Sequence, residues 1–264
     1  MKGGKKAGAR LRGLRILYED PDVLVVEKAA GVLSQAPRGG DAPSVEGALT
    51  DYVRKGQWKS AKRVYLVHRL DRETSGVMMV AKTEAAQDWL RDHWNEATEK
   101  IYLARVEGAL DAPSGLFESY LREDERYFVR SVKDPRLGKL ARTAWRVLAP
   151  PSRRARTSLV EVTLKSGRKN QIRAHFSEAG HPVAGDAKYG RGRRGDTLCL
   201  HAWKLAFRHP RTGERLSFAS PPPPWTAFPA SGKSERKETC HEEEECNQGT
   251  GRGEDRRPRA AAAR

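Results

Sequence analysis

Cysteine is nearly absent: Cys199, Cys240 and Cys246 are the only three in 264 residues. An odd number, with two of the three in a polar tail, excludes a disulfide framework and fits a reducing cytoplasm. Long apolar runs are missing too. No stretch reaches the roughly 18 residues of a membrane span, so no membrane partner is expected. The basic N-terminus lacks the apolar segment of a secretory signal. Neither Gly-x-x-x-x-Gly-Lys-Ser/Thr nor a Gly-x-Gly-x-x-Gly after a strand occurs, which leaves ATP- and NAD-dependent chemistry without support. No Gly-x-Ser-x-Gly elbow offers a hydrolase nucleophile. Cys240, His241 and Cys246 match no common zinc spacing, and the other histidines form no His-x-x-x-His pair, so no metal and no cofactor are expected. No repeat of 20–50 residues points to a solenoid.

Positive charge is what the chain has in excess. The formal charge is +16. Residues 231–264 hold 8 basic and 8 acidic side chains, and residues 1–15 hold six basic ones and no acid. The body between them therefore keeps an excess of +10. A folded body with that imbalance suits a polyanion, nucleic acid first. Composition divides the chain into a mobile basic arm over 1–13, a folded body over 14–230 and a disordered polar tail over 231–264.

Within the body, Ile16–Tyr18 and Val23–Val26 flank Glu19-Asp20-Pro21-Asp22 and read as a hairpin. Ser44 caps a helix over about 45–55. Thr83 caps another over about 84–97, with Ala86, Trp89, Leu90 and Trp94 as its core stripe. Lys100–Gly108 is a strand with Tyr102, Ala104 and Val106 on one face. Short polar strands and turns fill 111–140. Strands at 141–148 and 158–164 enclose a basic loop. A helix over 170–179 buries Ile172, Phe176 and Ala179, turns Arg173 to its exposed side, and stops at Gly180. Strands at 198–207 and 215–219 close the body before Pro221–Pro224. Strands outnumber helices and follow one another directly, so the class is α+β with a largely antiparallel sheet, flanked by helices and loops.

The centre of the chain is His68-Arg69-Leu70-Asp71-Arg72-Glu73-Thr74-Ser75-Gly76, set between the apolar runs Val64–Val67 and Val77–Ala81. Asp71 lies between Arg69 and Arg72. A neighbouring guanidinium favours the ionised carboxylate, the state a nucleophile needs. The same pattern describes an ordinary strand-end salt bridge. Residue chemistry leaves both readings open.

The nonapeptide resembles the signature of the RluA-type RNA pseudouridine synthases, in the form without an N-terminal S4 domain. Four further segments agree with that family in order: Ile16–Gly31, Lys100–Gly108 around Tyr102, Leu164–Gly190 around Gln171-Ile172-Arg173-Ala174-His175, and Leu200–Phe218. The resemblance implies the pseudouridine synthase fold and an isomerase. Such an enzyme breaks the uridine N1–C1′ bond, turns the uracil and rejoins it through C5, without a cofactor. It implies Asp71 as the catalytic carboxylate, Tyr102 as the active-site tyrosine and Arg173 as the partner of the aspartate. Arg69 would enter the space left by a flipped base, where a planar cation can stack. Leu200 would wall the uracil pocket.

Arg168 and Lys169, with Arg153, Arg154, Arg156, Arg191, Arg193 and Arg194, are the expected phosphate contacts. The implied partner is structured RNA, ribosomal or transfer, with no DNA expected, and the expected state is a cytoplasmic monomer. A non-catalytic RNA-binding or ribosome-assembly protein on the same scaffold is the alternative, and an RNA glycosidase a third. Three positions depart from the family pattern: Ala29 for proline, Ser34-Gln35 for Val-His, and Asn170 for histidine. They are expected to bear on substrate contacts and not on Asp71, Tyr102 or Arg173.

Overall fold

The apolar runs at Val23–Val26 and Val77–Ala81 are continuous, not alternating, and that pattern belongs to strands buried on both faces. A computed structural model describes residues 10–227 except 12, 38, 39, 41, 58 and 152–155. The expected tail at 231–264, arm residues 1–9 and the candidates Arg153 and Arg154 lie outside the described residues. The strands are β1 (Arg10–Leu11), β2 (Leu14–Glu19), β3 (Val23–Lys28), β4 (Tyr65–Leu66), β5 (Ser75–Ala81), β6 (Thr98–Glu107), β7 (Ser114–Glu123), β8 (Val129–Val132), β9 (Lys139–Ala149), β10 (Thr157–Leu164), β11 (Leu200–Arg208) and β12 (Arg215–Ala219). The helices are α1 (Val45–Arg54), α2 (Glu84–Asp92), α3 (Trp94–Ala97) and α4 (Gln171–Glu178). The strands form one sheet in the order β1-β2-β3-β5-β11-β6-β10-β9-β7-β8, with β12 beside β11 and β4 beside β5. None of the described helices is long and apolar enough to cross a membrane.

Strand β3 alternates its side chains between two cores. Leu24 and Val26 join Val45 and Leu49 of α1, Ile172 and Phe176 of α4, and Tyr102. Val23 and Val25 join Ala86 and Leu90 of α2, with Leu205 and Phe207. Strand β5 divides likewise, Met78 and Val80 to the first core, Val77 and Met79 to the second. Both strands are therefore covered on each side, and each such side chain contributes on the order of 1.5–3 kcal/mol by leaving water.

Among the described strands, β5 and β11 make the one parallel pair, through His201↔Ser75 and Ala202↔Gly76 alone. Ala202 also pairs with Tyr102 on β6. Gly76, Ala202 and Tyr102 thus stand in one row across the sheet. The row demands glycine: φ at Gly76 is +118°, and a Cβ there would lie 2.1 Å from the Ala202 carbonyl oxygen. Contact that close comes from backbone against backbone, which cannot yield.

Local expectations fare unevenly. Ser44 caps α1 by accepting from the Gly47 amide, and Val45, Leu49 and Val53 form its buried stripe. The single helix expected over 84–97 is two. Both the His93 amide and its ring Nδ1 converge on the Trp89 carbonyl, closing α2 before α3 begins. The run Val64–Val67 contributes only the two residues of β4, because Val67 already turns toward the polar loop. The region 111–140 holds a ten-residue strand, β7, longer than the short strands expected. Among the described residues pairing begins at Arg10, ahead of the expected Leu14, through Arg10↔Arg15 and Leu11↔Leu14.

Gly76→Ala should lower unfolding free energy by more than about 3 kcal/mol, from a strained φ plus a backbone clash. Urea denaturation measures it.

Candidate active site

The loop from Val67 to Thr74 is fastened from below. Leu70 is buried in the core, and Ser34 Oγ both donates to its carbonyl (2.7 Å) and accepts from its amide (3.1 Å). Lys28, fully buried at the end of β3, donates to the carbonyls of Ala29 (3.1 Å), Val32 (2.8 Å) and Arg72 (3.1 Å). The Gly31 amide donates to the same Arg72 carbonyl at 2.8 Å. On the other side His68 Nε2 accepts from the Met79 amide at 3.0 Å, and its ring stacks on Trp94 at 4.8 Å. Burial, then the charge of Lys100, pushes the His68 pKa down to about 3, so the ring stays neutral and keeps that acceptor. With Leu70 held inward, Asp71 points out, its side chain 25% exposed.

Asp71 Oδ2 accepts two bonds, from Asn170 Nδ2 at 2.6 Å and from Arg173 Nη1 at 3.0 Å. Among the described residues no donor reaches Oδ1. Arg69 and Arg72, the arginines beside Asp71 in sequence, make no ion pair with it. Both are exposed and face solvent at the rim. Asn170 is a departure from the family pattern, and it does touch Asp71, contrary to expectation. It holds its place in a left-handed conformation, φ 49°, which asparagine tolerates better than most residues.

Arg173 is 7% exposed, not on an open helix face. Gln171 through Phe176 are all buried, whereas Ala179 is exposed. The polar side of α4 lies against strands β7 and β9 and is satisfied there. His175 bonds Thr143 Oγ1 (2.8 Å) and Ser119 Oγ (3.0 Å), and Gln171 Nε2 donates to Thr143 Oγ1 (2.9 Å). A period of 3.6 shows which residues share a face, but not that both faces are covered.

Asp186 orients Arg173. Its Oδ2 accepts from Arg173 Nε at 2.7 Å and its Oδ1 from Nη2 at 2.8 Å. Oδ1 also accepts from the amides of Lys188 and Tyr189, both at 2.9 Å. Burial alone would raise the Asp186 pKa, but the Arg173 fork and those amides outweigh it and hold the carboxyl below its ordinary value. Burial likewise disfavours the Arg173 cation, and the carboxylates of Asp186 and Asp71 more than restore it.

Beside Asp71 a recess of about 50 Å³ is lined by Tyr102, Leu164, Ile172, Leu200, Arg69 and Arg168. Tyr102 is 9% exposed, and burial, then the Asp71 charge, raises its phenol pKa, so the hydroxyl keeps its proton. The recess adjoins a cleft of about 810 Å³ bearing Arg69, Arg91, Lys100, Arg168 and Lys169. Across Asp71 a second cleft of about 530 Å³ bears Arg72, Lys188, Arg193 and Arg194. Arg156 and Arg191 line none of these three. Lys169 pairs with Glu123. The one group of three metal-type ligands among the described residues, Asp20, Asp22 and His209, lies at the far end of β3. Asp20 Oδ2 there already accepts from Tyr18 and meets His209, and Asp22 pairs with Arg211.

A model of the RNA pseudouridylate synthase family matches residues 22–178. The chain belongs to that family. It is 36% identical to the ribosomal large subunit pseudouridine synthase D of Neisseria meningitidis serogroup A, over 80% of this chain and 58% of that protein. It is 37% identical to an uncharacterised RNA pseudouridine synthase of Bacillus subtilis, over 80% of this chain and 69% of the relative. The chain thus spans little more than half the Neisseria synthase. The fold is similar to that of human RNA pseudouridylate synthase domain containing 4, with a TM-score of 0.64, 22% identity, and coverage of 80% of this chain and 89% of that one.

Sequence reasoning misses four roles behind the family signature: Asn170 and Ser34, marked only as departures from the pattern, hold Asp71 and Leu70, Asp186 clamps Arg173, and Lys28 ties down the Arg72 carbonyl. Lys28 carried one signal, a lysine closing an apolar run.

Asp186→Asn should lower stability at pH 7 by about 3–5 kcal/mol, because it leaves a buried guanidinium short of its charge partner. The folded Asp186 carboxyl titrates below its unfolded value of 3.8. Its contribution is therefore complete above that pH and lost as pH falls through the folded value. Acid unfolding should accordingly be less steep in the variant than in wild type, as circular dichroism would record.

Proposed function

We propose that this protein is an RNA pseudouridine synthase acting in the cytoplasm, and that it isomerises uridines in structured RNA, ribosomal or transfer, with Asp71 as the catalytic group. The observation that carries this reading is the division of labour within one carboxylate. Oδ2 is fastened by Arg173 and Asn170, Oδ1 meets no donor among the described residues, and Asp71 lines the recess that Tyr102 and Leu200 also line. A catalytic group held by charge-assisted bonds does not have to be ordered as the reaction proceeds. The isomerisation is balanced without a cofactor: the N1–C1′ bond breaks, C5 bonds to C1′, C5 gives up a proton and N1 takes one. Two routes start it, attack of Asp71 on C1′ or removal of the C2′ proton, and both use the carboxylate that Arg173 and Asn170 hold in place.

Tyr102 offers the freed uracil a ring to rest on and a protonated hydroxyl. Leu200 closes the recess behind it. Arg69, exposed at the rim, fills the gap a flipped nucleotide leaves in its stack. Arg168 and Lys169 on one side, and Arg193 and Arg194 on the other, meet phosphates. The names of the Neisseria relatives make large-subunit ribosomal RNA the first substrate to try.

RNA transcribed with C5-tritiated uridine should release tritium when incubated with the protein. No release from ribosomal or transfer RNA by the folded protein would sink the reading. Asp71→Asn should reduce release by at least ~10⁴-fold while leaving RNA binding nearly intact. Asn170→Ala should reduce it by about 10-fold through the lost charge-assisted bond, and Asn170→His, which restores a donor, should recover most of that.

A further inference from the structure

Lys100 stands two residues before Tyr102 on β6, so the two side chains share one face of the sheet. It is 5% exposed, and its Nζ has no hydrogen-bond partner among the described residues. Nζ lies 5.4 Å from the centre of the Trp94 ring, which on its own account stacks on His68. Among the described residues no anion answers it. His68 is neutral with its acceptor taken by the Met79 amide, and Lys165 repels it. Burial, then Lys165, pushes the ammonium pKa down to about 8, so most of it is still charged at neutral pH. The Trp94 ring face attracts the cation but accepts no ordinary hydrogen bond, and a buried ammonium without an acceptor is expensive, so structures seldom keep one that nothing uses.

Lys100 lines the 810 Å³ cleft but not the 50 Å³ recess where Tyr102 lies. It is therefore one strand step outside the base pocket, about 7 Å at the usual rise. The cleft around it is cationic: Arg69, Arg72, Arg91, Arg168 and Lys169 stand against Asp71 and a Glu123 already paired with Lys169. With a uracil in the recess, the group one step out along a ribonucleotide chain is a phosphate.

We propose that Lys100 is a phosphate-binding residue, whose ammonium takes the phosphodiester of a nucleotide flanking the target uridine, on the α2–α3 side of the cleft. This rests on the uridine reading of the neighbouring recess. The four-carbon stem lets Nζ turn from Trp94 into the cleft it already lines. No step of the isomerisation passes through it. The lysine anchors the strand on which the reacting nucleotide is carried.

The test is equilibrium titration of the full chain with a 12-nucleotide oligouridylate between 50 and 200 mM KCl, for wild type, Lys100→Met and Lys100→Arg. The slope of log K against log salt should be shallower by about 0.7 in Lys100→Met, the value for one phosphate contact on a single strand. It should be unchanged in Lys100→Arg. Without RNA, Lys100→Met should unfold at a urea concentration no lower than wild type, since it removes an unanswered charge. A merely structural lysine would give the opposite pair, lower stability with an unchanged slope. An unchanged slope in Lys100→Met overturns the proposal, and so does a wild type that fails to bind the oligouridylate at 50 mM KCl. Tritium release is read separately. A chain that isomerises nothing but loses slope in Lys100→Met keeps the phosphate site and refutes the isomerase. Active enzyme with an unchanged slope does the reverse.

Discussion

The fork between Arg173 and Asp186 is what the site depends on. A guanidinium is planar and presents its donors at fixed angles. Once Asp186 takes Nε and Nη2, the direction of Nη1 is settled, and Nη1 is what holds Asp71. Asp186 is itself anchored by two backbone amides. The chain of command therefore runs from backbone to Asp186 to Arg173 to Asp71, without a freely rotating member. Lysine in place of Arg173 could satisfy the charges but not transmit the geometry.

That arrangement asks for burial, and burial explains why the polar residues of α4 face protein on every side. The helix is covered on two sides: Ile172 and Phe176 meet the large apolar cluster, while Gln171 and His175 hydrogen-bond to side chains of β7 and β9. A second support runs underneath the loop that carries Asp71. Lys28 and Ser34 fix two of its carbonyls, those of Leu70 and Arg72, and the Leu70 amide, and Lys28 ties them to the carbonyls of Ala29 and Val32, leaving Asp71 little choice of position. Rigid support on both sides is what a preorganised carboxylate requires.

Much of this was legible in the residues. The hairpin around Asp20-Pro21, the caps at Ser44 and Thr83, the stop at Gly180 and the shared face of Tyr102, Ala104 and Val106 on β6 all follow from local chemistry, and the structure bears them out. The family motifs placed Asp71, Tyr102 and Arg173 in one neighbourhood. Residue chemistry alone left the long-range pairings illegible. Arg69 and Arg72 flank Asp71 in sequence yet make no ion pair with it; the pair with Arg173 was expected only through the family resemblance, and the contact with Asn170 not at all, though both reach Asp71 across about a hundred residues. Pattern analysis sees neighbours along the chain, and an ion pair is decided by neighbours in space. The break at His93 escaped for a different reason: a side chain competing for a helix carbonyl leaves the apolar period intact.

The row of Gly76, Ala202 and Tyr102 has a bearing on how the molecule comes into being. Ser75 and His201 are 126 residues apart, and their strands meet over only two residue pairs. Closing so long a loop for so little ladder is slow, and it happens after the local hairpins have formed. While the chain is being synthesised, Asp71 and Tyr102 are complete long before β11 exists to set them in register. The growing polypeptide thus holds Asp71 and Tyr102 before their relative placement is set. That placement is completed late, when the strand beginning at Leu200 enters between β5 and β6.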